Sequence, residues 1–160
     1  VENDIRFTEG LNMGEDMMVM MKLFICAGKV GIVHRPFYHY RQSNPESLTK
    51  IYSQEHIIQV ANNVYEVEKY VNASAYADSL IEFIPFLKLN IKLPLLITDD
   101  KSHYEQWLEC FPEANCYVMN NKLLPLRTRI IQWMAVKRYF ILLRLYYRTV
   151  FKLVYGIIYK

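Results

Sequence analysis

The chain has 160 residues, 52% hydrophobic and 14% aromatic, which is about one domain's length with enough apolar content for a core and excludes a disordered chain. Its three cysteines, Cys26, Cys110 and Cys116, are odd in number and lack CxxC pairing, which excludes a disulfide framework and a zinc ribbon and points to a reducing compartment. The net charge of +3 hides a division: residues 1–113 hold ten Lys/Arg and all sixteen acids, whereas residues 114–160 hold nine Lys/Arg and no acid.

Residues 1–14 contain Gly10, Gly14 and the polar trio Glu2, Asn3 and Asp4, a pattern that predicts a loop. Glu15 to Ala27 has no Gly, no Pro and no β-branched run, which predicts a helix. Apolar residues surround nearly its whole circumference, so it is expected to be buried, with Gly28 as its terminator. VGIVHRPFYHYRQ, residues 30–42, is β-branched and aromatic with alternation, and predicts a strand interrupted at Pro36. The polar turn SNPES follows.

Ser53 is placed to cap a helix in which Ile57, Val60, Ala61, Val64, Tyr65 and Val71 recur at helical spacing. A second helix is expected from Ala75 to Lys92, disturbed at Pro85 and ended by Pro94. Thr98-Asp99-Asp100 precedes a short amphipathic helix around Lys101 to Phe111, and one or two long basic helices follow Pro125. The expected fold is α+β and predominantly helical, organised as residues 1–50, a helical extension over 51–113 and a basic tail over 114–160.

Two acids, Glu15 and Asp16, stand at the mouth of the first helix. Acids in a first turn favour the helix dipole by about 0.3–1 kcal/mol, and many helices begin this way. The pair is also delivered by a glycine-bearing loop onto a rigid element, which is how a carboxylate is held still beside a cleft to act as a general base.

The stretch IRFTEGLNMGEDMMVMMKLFICAGKVGIVHRPFYHYRQSNPESLT, residues 5–49, resembles the later part of the catalytic domain of family 2 glycosyltransferases, the inverting enzymes with a GT-A fold. The likeness rests on EG, then GED, then a helix carrying LF, then an aromatic YxYR, and finally SLT. It implies that Asp16 is the catalytic base, with Glu15 in support, taking the proton from an acceptor hydroxyl as that hydroxyl attacks the anomeric carbon of a nucleotide-sugar donor. The acceptor would be a glycan or a lipid-linked sugar, in cell-surface polysaccharide synthesis.

YHYRQSNPESLT, residues 38–49, joins the strand end to a polar turn, a common way to build a loop over a ligand. Arg41 has the forked donors for a diphosphate, and Ser47 and Thr49 can donate to phosphate oxygens; the resemblance places this loop near the donor. Otherwise Arg41 pairs with a surface acid and Ser47 caps a turn. His39 has two roles open to it, reaching a donor-bound metal or stacking in the wall, and no second histidine lies at ligand spacing on its element.

The resemblance also implies a divalent metal, Mg or Mn, held by an Asp-x-Asp motif on an upstream βαβ portion. No Asp-x-Asp occurs here, and Asp99-Asp100 suits a helix cap instead. The chain begins at Val1 rather than Met, so it is expected to be the C-terminal part of a longer transferase, inactive alone and exposing the face that docks on the absent sheet.

LRLYYRTVFKLVYGIIYK, residues 143–160, sets Arg144, Arg148 and Lys152 four apart on an otherwise apolar helix. With Trp133, Tyr139, Tyr146, Tyr147, Tyr155 and Tyr159 this predicts peripheral contact of residues 127–160 with a membrane surface, or packing on the rest of the domain. No uncharged run is long enough to span a bilayer, and the apolar fraction is too high for a nucleic-acid surface. With no signal peptide recognisable in the mixed, acidic first residues, the expected location is cytoplasmic, on the inner face of the plasma membrane where it touches lipid.

Overall fold

The computed structural model describes residues 3, 5–38 and 54–150, which divide into two compact units, Val1–Leu80 and Ile81–Lys160. Helices and turns make up the described residues, and no strand occurs among them.

The first unit is a helical pair. Helix α1 (Glu15–Cys26) packs on α2 (Gln54–Asn72), whose Asn63, Val64, Val67 and Val71 form one fully covered stripe around Met18 of α1. The spacing of that stripe is the one an amphipathic helix needs to keep one face on a neighbour. Tyr65, expected in the same apolar set, turns outward. Along the pair, Lys22 lies 3.8 Å from Glu66 and over the Tyr70 ring, and Cys26 Sγ meets the Tyr70 hydroxyl. That hydrogen bond raises the Tyr70 hydroxyl above its ordinary value, with burial adding to the shift.

Three expectations are corrected here. Helix α1 is not buried all round: Met20, Leu23 and Phe24 are each about half exposed, because α2 covers only one of its sides. It also ends at Cys26 when Ala27 turns extended, and Gly28 takes no left-handed conformation. The predicted strand is likewise absent over 30–38, where Ile32 and Val33, successive residues that would point to opposite faces, are 81% and 66% exposed. β-Branched residues favour extended backbone, but a strand exists only where a second segment completes the ladder, and none among the described residues does. Residues 39–42 of that expectation, and the cap at Ser53, lie outside the described residues.

Residues 73–82 are turns with one 3-10 turn at Asp78–Leu80, and in the second unit α3 (Phe83–Ile91) starts two residues ahead of Pro85. The helix expected from Ala75 is thereby corrected. Proline is tolerated in a first turn, where its missing N–H has no partner to lose, but clashes with a helix continued in front of it. A 3-10 turn at Leu93–Leu96 leads to α4 (Lys101–Glu109), whose N-cap Asp100 accepts from the Ser102 amide at 2.9 Å. That bond holds the Asp100 carboxyl below its usual range.

After α4 the chain turns at Phe111, a non-glycine residue with φ 50°, into a 3-10 segment at Pro112–Tyr117. Helices α5 (Leu126–Val136) and α6 (Phe140–Tyr146) follow. Between them Arg138 takes φ 57°, the Tyr139 amide donates to Met134 O and the Arg138 amide to Ala135 O. This is the Schellman pattern, built with arginine where glycine is usual. The core gathers Tyr104, Trp107, Leu89, Leu95, Ala114, Ala135 and Leu143, none more than 1% exposed.

Two lysines of α3 and its C-cap run into this core. Lys92, 2% exposed, donates to the carbonyls of Trp107 (3.1 Å), Cys110 (2.7 Å) and Phe111 (3.3 Å) and to Asn115 Oδ1 (2.5 Å), with its ammonium 4.0 Å from the centre of a Trp107 ring. One turn earlier Lys88 pairs with Glu113 at 2.9 Å and lies over the Phe111 ring. The left-handed Phe111 turn, which costs roughly 1–2 kcal/mol for a residue with a Cβ, is thus held from both sides by cations of α3 and its cap.

Over its described residues the basic tail is less regular than expected. Among the described residues, helical backbone continues beyond α6 as a π-type turn over 147–150, and Arg148 pairs with Asp99 at 3.3 Å. Lys152, Tyr155 and Tyr159 lie outside the described residues. Leu143 is buried and Phe140 meets the Tyr104 ring, so α6 does pack on its own unit along one side. No helix among the described residues is long and apolar enough to cross a membrane.

Candidate active site

The GED tripeptide sits where the loop enters α1. Gly10 and Gly14 both have φ near +80°, the left-handed conformation that costs glycine nothing, and Gly14 is the residue from which the helix departs. The Leu11 amide closes the first of these turns onto Thr8 O. Two side chains of α2 then fix the loop's last residues: Gln59 Oε1 accepts from the Asn12 amide at 3.1 Å, and buried Asn63 donates to Met13 O at 2.8 Å. With Val60 side-chain and backbone atoms 3.7–3.9 Å from where a Gly14 Cβ would stand, the start of α1 is seated on the middle of α2.

This arrangement aims the two acids. Glu15 is half-buried and Asp16 exposed, in the first turn of α1. Asp16 Oδ1 accepts from the Met17 amide at 2.7 Å, one of the first-turn N–H groups that have no partner within the helix. That bond occupies one carboxylate oxygen and orients the carboxylate while the group stays open to solvent. A fixed backbone, an anchored carboxylate and an open side are the features a positioned proton acceptor needs.

Gly14→Ala tests how far this geometry depends on the glycine. The added methyl would meet Val60 at ordinary contact distance, so the penalty is conformational: a loss of about 1–2 kcal/mol from the stability of the first unit, read as a lower midpoint in chemical denaturation.

Of the other residues singled out in the sequence, His39, Arg41, Ser47 and Thr49 all lie outside the described residues. Among the described residues no group of three or more His, Cys, Asp or Glu is placed to hold a metal ion. All three cysteines are free thiols.

Sequence reasoning missed Gln59 and Asn63, which hold the loop in front of the acids. The signal was present as two polar residues inside the apolar stripe of α2, four apart and on the side that also carries Val60 and Val64. A second concave feature, built entirely within the Ile81–Lys160 unit, is a cleft of about 190 Å³ between α5, the 3-10 turn at Leu93–Leu96 and the end of α6, walled mainly by Leu93, Leu96, Ile131, Tyr146 and Tyr147. Compared with family models, with curated proteins and with solved structures, the chain has no match.

Proposed function

We propose that the chain is the C-terminal catalytic portion of an inverting glycosyltransferase with a GT-A fold, in which Asp16 is the base that deprotonates the acceptor hydroxyl. The observation that carries this reading is the placement of Asp16: exposed, in the first turn of α1, with one oxygen on the Met17 amide and its loop pinned to α2 by Gln59 and Asn63. The ordered likeness of residues 5–49 supplies the reaction; the geometry supports it by leaving the carboxylate accessible and held.

In the proposed reaction the acceptor hydroxyl attacks the anomeric carbon of a nucleotide-activated sugar from the face opposite the leaving diphosphate. Its proton passes to Asp16, the new glycosidic bond forms as the bond to the diphosphate breaks, and the centre inverts. Glu15, half-buried beside it, helps define the charge around the acceptor. Arg41, Ser47 and Thr49 would bind the donor diphosphate and His39 would line it. A divalent metal, held by residues of the preceding portion, would supply positive charge for the diphosphate. The exposed apolar side of α1, with Met20, Leu23 and Phe24, and the β-branched run at 30–38 suit a helix-on-sheet layer whose sheet comes from a preceding part of the protein.

Two measurements test the reading. The coding sequence immediately before the Val1 codon should specify a nucleotide-binding βαβ half ending in Asp-x-Asp, and the parent protein should release free nucleotide from a nucleotide-sugar only when an acceptor is present. An upstream sequence without such a half would overturn it. A non-catalytic interaction module is the second reading, favoured by the exposed apolar surface of α5 and α6.

A further inference from the structure

We propose that the outward face of α5 and α6 is a docking surface for an anionic lipid bilayer. The inference stands on the second unit alone and does not depend on the transferase reading.

Leu126, Ile130 and Trp133 lie at positions i, i+4 and i+7 of α5, one narrow stripe, and all are exposed; the buried residues of that helix, Gln132 and Ala135, lie on the opposite side. Tyr139 meets Trp133 edge-on at 5.8 Å and carries the apolar surface across the Arg138 turn. On α6 the exposed residues are Ile141, Leu142 and Leu145, with Ile141 at 83%, opposite buried Leu143. Two consecutive helices thus each spend one side on the core and leave the other apolar and uncovered.

Charge selects the occupant. Lys137 and Arg138 are exposed at the turn and Arg144 on α6, where its charge also acts on Asp100, and no acid occurs anywhere from residue 114 to 160. Arg148 and Arg129 are not counted, since they bind Asp99 and the Met119 carbonyl. A second copy meeting this face with its own face would bring these cations against themselves, and a nucleic acid would meet an apolar centre. An anionic bilayer satisfies both parts: apolar side chains enter the acyl boundary, Trp133 and Tyr139 settle at headgroup depth, and the cations reach lipid phosphates.

The test is flotation of the full chain with vesicles of phosphatidylcholine alone and of an equal mixture of phosphatidylcholine and phosphatidylglycerol. Binding is expected on the mixed vesicles, weakened by salt and much lower on the neutral ones. The double substitution Lys137→Gln/Arg144→Gln should lower the partition constant roughly 25-fold, about fivefold for each cation removed. Ile141→Ser/Leu145→Ser should also lose binding, while Lys69→Gln, in the first unit, should leave it unchanged. Because Trp107 is fully buried, a blue shift of the unmodified protein's tryptophan emission on adding mixed vesicles reports Trp133 without any substitution. No lipid-dependent binding or shift, an equal effect from Lys69→Gln, or a stable dimer dissociated by Ile141→Ser/Leu145→Ser would overturn the proposal.

Discussion

Asp16→Asn, introduced into a parent chain that carries the nucleotide-binding half, is expected to lower turnover by about 10²–10⁴-fold while leaving donor affinity and the folded state intact. The amide has the shape of the carboxylate and keeps an Oδ1 that can accept from the Met17 amide, so the start of α1 has no reason to rearrange. What it loses is the capacity to take a proton. If Asp16 served only as a first-turn acid, the same substitution would cost about 0.3–1 kcal/mol of helix stability and nothing in turnover. A thousandfold rate loss corresponds to about 4 kcal/mol of barrier, so the two roles differ in magnitude as well as in the quantity they affect. Glu15→Gln, which touches the supporting carboxylate alone, should slow the reaction less than Asp16→Asn does.

The largest stability effect is expected at Lys92. Lys92→Met keeps the length and apolar stem of the side chain but takes the ammonium from the carbonyls of Trp107 and Cys110 and the amide oxygen of Asn115, in a buried to part-buried setting, while Phe111 O keeps the Ala114 amide. Stranded buried acceptors cost about 1–3 kcal/mol each but do not add in full when they share one partner, so a loss on the order of 3 kcal/mol is expected for the second unit. The left-handed turn at Phe111 loses one of its two clamps in the same step. Chemical denaturation followed by tryptophan emission measures this directly, because Trp107 packs on the Lys92 ammonium.

The same pair of proteins yields a pH prediction. Burial pushes the Lys92 ammonium down to about 8, partly offset by the neighbouring Cys110 and Glu113. The unfolded chain keeps this proton up to the ordinary lysine value of 10.5. Between those limits the unfolded state binds more protons than the folded one, so raising the pH favours folding. The unmodified protein should therefore gain stability relative to Lys92→Met as pH rises from about 8 towards 10.5. A relative loss over that interval would mean that the four acceptors hold the ammonium more strongly than burial expels it. Above pH 10 an opposite slope is expected in both proteins, because Tyr104, pushed up to about 12 mainly by burial, stays protonated in the fold after the unfolded chain has released its proton.

Local signals in the sequence carried local structure and stopped where a partner decides the outcome. Gly14, the two acids and the unbroken helix formers marked α1 to within a residue at its C-terminal end, and Asp100 was recognisable as a cap because capping involves only the next few residues. The burial of α1 was not legible. Its composition is apolar on every side, but only a facing element covers a side, and α2 covers one. The β-branched run at 30–38 fails as a strand for the same reason: β-branching favours a backbone and a ladder requires a second one.

The burial of Lys92 was not legible, because a lysine normally signals solvent. The clue was its setting: Lys88 and Lys92 lie four apart in an apolar stretch from Phe83 to Ile97 with no acid, which places two ammonium groups on one side of a helix that has little choice but to be buried. The break after α5 was hidden too, since a left-handed Arg138 does the work ordinarily flagged by glycine. At the site, the acids stood out by their position against an apolar run, whereas Gln59 and Asn63, which pin their loop from 47 and 50 residues away, needed the fold to be seen.

The most direct test of Asp16 as a base in inverting transfer is proton NMR of the first product formed by the parent protein from a nucleotide-sugar of defined anomeric configuration. The expected product has the opposite configuration at that carbon and does not accumulate with Asp16→Asn. A product that retains the donor's configuration, or one that forms at an undiminished rate with the asparagine in place, would contradict the account.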